Sequence, residues 1–450
     1  MNNRFDNKRF LVIDDQPTAR EALRTIAQTM GAFAVEFAAN YQDALFRIRN
    51  NTPDIILCDY MLGEGRSGQQ LLEELRRFSL LADETIFMMV TGEQSYEQVV
   101  SAVELVPDDY IIKPFSPDKL LLRLERILAK KAFFADYYRE KRRKEYEKAL
   151  AILEAKRNSD AARPYRFEIL RQRAEVMLAK GDAAAAEAAY RSILDAGEFP
   201  WARAGVARSL EHQDRLTEAR EEIDRVVAST PHYFDAADVK ARICMAQGEP
   251  EEAQRVLDEV AKKTPRNYLR KRLLAEAATL NGDNATAQAM LTDVLANDTM
   301  PGAIQPEDKL ALARSQVASG DKISAEKTLV GMRESEVQNL MLDGQATFAA
   351  LMVIAAPERA KAKFAGLRPA LISASLDNST RLDVAYAALS VGDHELADHQ
   401  AHYMMASDEA KKIFRNVRKL YALHGREKDF REIQKQVALR RIHHDEPPAA

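Results

Sequence analysis

The chain has 450 residues, a net charge of −4 with 30% charged residues, and two cysteines. That length allows two or three domains and a sizeable core, while the near-balanced charge gives no global electrostatic case for nucleic acid. No apolar run approaches the ~18 residues of a transmembrane helix, so no membrane insertion is expected. The opening MNNRFDNKRF carries no apolar secretion-signal core. Cys58 and Cys244 lie far apart without metal-ligand spacing, which reads as two buried thiols in a reducing cytoplasm.

Four short apolar runs open the chain: Phe10–Ile13, Ile55–Cys58, Ile86–Val90 and Tyr110–Ile112. Each reads as a buried parallel strand. Helical patterns fall between and after them, over Thr18–Met30, Tyr41–Asn50, Gly68–Phe78, Ser95–Leu105 and Ser116–Ala129. Ser95 and Ser116 are placed as N-caps, with Pro117 at a first helical position. A five-fold βα alternation predicts an α/β doubly wound parallel sheet over residues 1–130. Each run ends on polar residues: Asp14 and Asp15, then Asp59, Thr91 and Lys113. Chemistry in such sheets collects at the carboxyl ends of the strands. Three carboxylates, a hydroxyl and an ammonium on one edge suit a divalent cation and a phosphoryl group.

The composition changes after Lys130. Charged, alanine-rich helical pattern replaces strand pattern. No Gly or Pro follows Pro117 until well past Lys156, which predicts one long helix or two nearly continuous ones joining the halves. Residues 131–164 are read as this linker, a semi-rigid lever.

An internal repeat follows. Inter-helix turns fall at Gly181-Asp182, Asp214-Arg215, Gly248-Glu249, Gly282-Asp283, Gly320-Asp321 and Gly392-Asp393, at intervals of 33, 34, 34, 38 and 72 residues. Alanine stands five after each turn (Ala186 to Ala397) and seven before each (Ala174 to Ala385). Glycine tolerates the left-handed backbone where a helix ends, and small facing residues let antiparallel helices approach. Pro200, Pro231, Pro265 and Pro301 are read as closing units. One such pair cannot bury its own apolar face, so pairs stack into a solenoid. The pattern resembles tetratricopeptide repeats over 165–406, with a degenerate unit around Ala355–Ala374. Capping helices are expected over 407–444 and a disordered tail over 445–450.

The motif set IDD, ILCDYM, VTG and IIKPF, in this order and spacing, resembles the receiver domain of two-component response regulators. That resemblance implies a role for each matching position. Asp59 matches the phosphoacceptor. Asp14, Asp15, Asp59 and the main-chain carbonyl of Met61 match the ligands of Mg²⁺. Lys113 matches the lysine that pairs with the phosphoryl oxygens, and Pro114 its cis-bonded neighbour. Thr91 matches the switch hydroxyl and Tyr110 the aromatic rotamer switch. Gly92 keeps the wall beside the aspartate small. The stretch from Met61 to Gly68 lacks the family's proline and is one residue longer. Met61 and Glu93 occupy positions that tune phosphoryl lifetime.

The resemblance implies a phosphoacceptor signalling protein rather than an enzyme. It would take a phosphoryl group from a sensor histidine kinase or phosphotransfer protein and signal through a protein ligand of the array. The receiver would dimerise through the Thr91–Tyr110 face. No cyclase, phosphodiesterase, Walker A or helix-turn-helix motif follows it. One alternative is a phosphate sink or kinase competitor. The other is an RNA- or DNA-binding regulator, supported by basic clusters at Lys130-Lys131, Arg139–Lys144 and Lys411–Lys419. Glu140 within the second cluster, and Glu145 and Glu147 just after it, favour a solvated helix face instead.

Overall fold

The computed structural model describes residues 5–63, 67–77, 79–92, 107–231, 233–264, 267–296, 304–407 and 410–444. The chain forms two compact units, Met1–Asn267 and Tyr268–Ala450. The division falls inside the repeat array, not at the end of the α/β domain.

The first unit opens with β1 (Arg9–Ile13), α1 (Pro17–Thr29), β2 (Ala34–Ala38), α2 (Tyr41–Asn51), β3 (Ile55–Cys58), α3 (Gly68–Arg77), β4 (Ile86–Thr91), β5 (Asp109–Ile112) and α4 (Pro117–Arg142). All five strands are parallel, in the order β2-β1-β3-β4-β5. β2 is the strand that the sequence reading does not name. It is an edge strand and mostly half-buried, so Ala34-Val-Glu-Phe-Ala38 lacks a continuous apolar run. Alternate residues of the central strands (Phe10, Val12, Ile55, Leu57, Met88, Val90) share one core with Leu23 and Ala27 of α1 and Leu120, Leu124 and Ile127 of α4. Successive strand residues point to opposite faces, and Gly68 of α3 lies against Cys58 and Met89 on the other. The expected helix Ser95–Leu105 lies outside the described residues.

α4 runs well past the predicted Ala129 and stops at Arg142. Lys144 is left-handed at φ 60°, the Glu145 amide donates to Glu140 O, and the Lys144 amide to Lys141 O. This is a Schellman stop built on lysine. The predicted lever is therefore broken here. α5 (Tyr146–Arg157), a 3₁₀ turn (Asp160–Tyr165) and α6 (Arg166–Lys180) follow. Phe134, Tyr137 and Tyr138 of α4 pack with Ala149, Leu153, Ala162 and Ile169 in one cluster.

The unit continues through α7 (Ala183–Leu194), α8 (Pro200–His212), α9 (Leu216–Ser229), α10 (Phe234–Gln247) and α11 (Pro250–Lys263). The turn chemistry repeats closely. Gly181 and Gly248 are left-handed, and Asp214 takes the same conformation at φ 57°. Asp182 adds what the sequence reading lacks, an N-cap accepting from the Ala185 amide at 3.1 Å. Ala186, Ala207 and Ala219 are fully buried. Gly205 lets Tyr190 in: a Cβ there would sit 2.5 Å from its ring. Pro200 does not close a unit; it begins α8, where its missing N–H costs nothing. Pro265 and Pro301 lie outside the described residues.

The second unit holds α12 (Tyr268–Asn281), α13 (Asn284–Leu295), α14 (Pro306–Ala318), α15 (Lys322–Val330), the short α16 (Glu334–Gln338), α17 (Leu342–Ala355), α18 (Pro357–Ser373), α19 (Asn378–Val391), α20 (His394–Ala406), α21 (Ala410–Leu423) and α22 (Glu427–His444). The degenerate stretch is a complete helix pair, α17–α18. Its turn is Ala356-Pro357 rather than Gly-Asp, with Ala356 at φ −141°, so the repeat's turn signal is absent while its packing remains. Asp283, Asp321 and Asp393 cap their helices as Asp182 does. The region past Ala129 is helical wherever it is described. Residues 445–450 lie outside the described residues.

Candidate functional site

β1 and β3 are neighbours, yet the chain leaves β1 for β2 on one side and later returns to β3 on the other. The crevice at their carboxyl ends is the switch point where open α/β sheets place ligands. Asp14 follows β1 and Asp59 follows β3, their amides held by the strand ladders (Asp14 N to Ala38 O, 3.2 Å; Asp59 N to Ile13 O, 2.7 Å). Lys113 follows β5 and its amide donates to Thr91 O at 2.7 Å. The Lys113–Pro114 peptide bond is cis.

One carboxylate oxygen from each of Asp14, Asp15 and Asp59 lies within 4.8 Å of the others. Lys113 Nζ donates to Asp14 Oδ2 at 2.8 Å and stands 3.5 Å from Asp59 Oδ2. Asp14 is fully buried, and its other oxygen accepts from the Gln16 amide at 2.9 Å. Asp15 is exposed and Asp59 half-buried. Asp59 Oδ1 accepts from the Tyr60 amide at 2.8 Å. Burial raises the Asp59 carboxyl above the usual aspartate range; Lys113 opposes the shift and Asp14 adds to it. Burial also pushes the Cys58 thiol well up, helped by Asp59 and Asp14, so this cysteine stays protonated. Three hard oxygen donors are a fitting set for a small divalent cation, whose charge would relieve the repulsion between them.

The other expected positions also lie at this edge. Thr91 ends β4 and is buried. Tyr110 is half-buried on the edge strand β5. Met61 pairs with Ser67 in an isolated bridge, its side chain exposed. Glu93 lies outside the described residues. Two contributors escape the sequence reading. Arg20 of α1 donates from Nη1 to the carbonyls of Asp14 at 2.6 Å and Asp15 at 3.2 Å, pinning the acidic pair. Gly68 sits directly beneath Asp59: a Cβ there would meet Asp59 O at 2.2 Å and Cys58 Sγ at 2.7 Å. An arginine in a helix and a glycine at a helix start carry no signal of their own.

A doubly wound sheet of this strand order, with an acidic cluster and a lysine at its switch point, defines the receiver class of domain. The sequence profile of the response regulator receiver domain matches residues 10–125, and that of the tetratricopeptide repeat matches 177–243. Residues 10–125 are thus a receiver domain, and residues 177–243 carry tetratricopeptide repeat sequence. The phosphate regulon transcriptional regulatory protein PhoB of Escherichia coli is 36% identical over 121 residues, 27% of this chain and 52% of that protein. The response regulator MprA of a Mycobacterium species is 32% identical over 120 residues, 27% of this chain and 50% of that protein. The chain spans about half the length of these curated relatives. Among solved structures, a CheY-like receiver domain protein of Methanospirillum hungatei is 30% identical, covering 28% of this chain and 96% of its own, with a TM-score of 0.25. A tetratricopeptide repeat protein of Parabacteroides merdae is 11% identical, covering 65% and 98%, with a TM-score of 0.40. Among the described residues no helix is long and apolar enough to cross a membrane.

Proposed function

We propose that the protein is a two-component response regulator that accepts a phosphoryl group on Asp59 and signals through protein contacts of its repeat array. The observation that carries this reading is the meeting of Asp14, Asp15, Asp59 and Lys113 at one switch point. A structural sheet has no use for a fully buried carboxylate beside two others, because such charges are costly to hold.

In the proposed reaction an Asp59 carboxylate oxygen attacks the phosphorus of a phosphohistidine on a histidine kinase or phosphotransfer protein. The new O–P bond forms as the P–N bond breaks, and the ring, which carries a proton on its other nitrogen, leaves as neutral imidazole. Asp14, Asp15, Asp59 and the Met61 carbonyl are the residues that would hold Mg²⁺, which supplies charge neutralisation for the phosphoryl oxygens. Lys113 would pair with one of those oxygens in exchange for its bond to Asp14. Thr91 is the hydroxyl that would turn toward the acyl phosphate, with Tyr110 following on the neighbouring strand. These are the family's roles carried to matching positions. In this reading the chain is a phosphoacceptor and catalyses nothing on other substrates.

The test is incubation of the full chain with acetyl phosphate or beryllofluoride and Mg²⁺, read by intact mass and phosphate-affinity gels. Wild type should be modified once, and Asp59→Asn should be inert. Modification of the variant at an equal rate would overturn the assignment. A protein partner whose affinity is the same with and without beryllofluoride would leave a phosphate sink as the better account.

A further inference from the structure

The last two helices carry a charge that the whole chain conceals. Residues 410–444 hold eleven Lys and Arg against three Asp and Glu, a net +8 within a chain of −4. Residues 410–426 contain six of those cations and no acid.

The apolar side of this pair is consumed by the fold. Val417, Leu420, Tyr421, Phe430, Ile433 and Val437 are buried in the core of the second unit. Phe414 meets Phe430 edge-on at 5.3 Å, and the Tyr421 hydroxyl donates to Asp398 at 2.7 Å. Arg415, Arg418 and Lys419 of α21 face outward, as do Lys428 and Arg431 of α22. Spacings of three and four place each set on one helix face.

Elsewhere the array pairs its arginines: Arg203 with Glu222 at 2.6 Å, Arg272 with Asp308 at 2.6 Å, Arg314 with Asp383 at 2.6 Å and Arg368 with Asp393 at 2.9 Å. At the cap the pairs are made by Arg426, with Asp398 and Asp429, and by Lys435, with Glu432. Among the described residues the five outward cations form no ion pair.

We propose that this face binds the phosphodiester backbone of a nucleic acid. A polyanion with regularly spaced charges gains most from cations that have no partner to give up, because each contact releases a condensed counterion. A membrane fits less well, since the apolar side of the helices is buried and cannot enter lipid. A protein fits less well too. Protein interfaces centre on aromatic and apolar residues, and the large apolar side chains exposed on this pair are Leu423 and Leu439 alone among the described residues. The cap is independent of the phosphoacceptor site, so either assignment can fail without the other.

The experiment is fluorescence anisotropy of a short labelled DNA duplex titrated with the full chain at about 50 and 200 mM KCl. Binding is expected with Kd of about 10⁻⁶–10⁻⁴ M at the lower salt, and a log–log salt slope of about −4.5 from five phosphate contacts. The variant Arg415→Gln/Arg418→Gln/Lys419→Gln/Arg431→Gln should bind at least ~10-fold more weakly with a slope near −1. The control Lys322→Gln/Lys327→Gln/Lys361→Gln/Lys363→Gln removes the same charge from exposed positions of the same unit and should match wild type. No binding by wild type at ~10⁻⁴ M protein would overturn the proposal. So would an equal loss in both variants. Displacement of the duplex by poly-glutamate at equal charge would replace it with an acidic protein partner. Retention on phosphatidylglycerol vesicles without duplex binding would replace it with a membrane surface.

Discussion

Gly68→Ala isolates how tightly the phosphoacceptor strand is seated. The added methyl would lie 2.2 Å from Asp59 O, 2.7 Å from Cys58 Sγ and 3.1 Å from Met89 Sδ. Real Cβ atoms essentially never come within 3.0 Å, so α3 and the end of β3 must part by about 1 Å in a close-packed interior. The nearest obstacle is backbone, which cannot swing away as a side chain can. Overpacking of this kind costs about 3 kcal/mol. The assay is hydrogen exchange of the full chain, followed on peptides spanning residues 55–63 and 86–92. At 1.4 kcal/mol per tenfold, the loss corresponds to roughly 100-fold faster exchange. Acceptance of phosphoryl from acetyl phosphate should fall as well, because Asp59 moves with its carbonyl. Gly92→Ala is the control: nothing lies within 4 Å of its added methyl, so protection should hold. A change below about threefold in Gly68→Ala would refute the steric reasoning and mean that α3 yields without resistance.

Other consequences are open to measurement. Lys113→Ala leaves the buried Asp14 carboxylate without its cation and should cost about 2–3 kcal/mol at neutral pH, read by the same exchange peptides. The Asp59 carboxyl is raised by burial, so the folded state holds its proton more tightly than the unfolded state does. The stability it contributes is present at low pH and lost as pH rises through the raised value. Asp59→Asn should therefore stabilise the metal-free receiver at neutral pH, and the gain should fade on acidification; a pH-independent thermal shift would contradict this. Gly248→Ala and Gly392→Ala, at φ 81° and 82°, should each destabilise their helix pair by about 1 kcal/mol, whereas Asp214→Gly should stabilise its pair by a similar amount. Asp321→Ala should destabilise its helix by removing the cap on the Ser324 amide, read as faster hydrogen exchange over residues 322–330 than in wild type.

The site was legible because its chemistry is punctuated by apolar runs. Asp14, Asp59 and Thr91 each end a strand that is buried almost throughout, and Lys113 follows the mostly half-buried edge strand β5. Periodicity therefore located the strand ends and, with them, the acidic cluster. β2 escaped because an edge strand need not be apolar on both faces. The repeats were legible where glycine marks the left-handed turn. They became illegible at Ala356-Pro357, where the same helix pair is closed without that residue. The stop after α4 was hidden for the same reason: Lys144 adopts a conformation that sequence assigns to glycine. The charge of the basic cap does not show in the net charge of the chain, because a whole-chain sum averages over position. A partner meets a local field, which decays within about 10 Å in ordinary salt.

The fate of α4 bears on how such a chain can be divided or recombined. Lys131 is buried just beyond the profile match, donating to Asp83 O at 2.6 Å and pairing with Asp108 at 2.8 Å. Asp108 in turn accepts from the Phe87 amide of β4 at 2.9 Å. Six residues further on, Tyr137 donates to Gln172 of α6 at 2.6 Å. One helix thus completes the receiver with its first half and founds the solenoid with its second. A cut after Lys130 would strip the sheet of a buried cation and leave Phe134, Tyr137 and Tyr138 on the other piece without their scaffold. A receiver transplanted from this chain should keep its stability only when the crossover falls beyond Arg142, so the structural unit is longer than the unit recognised by similarity.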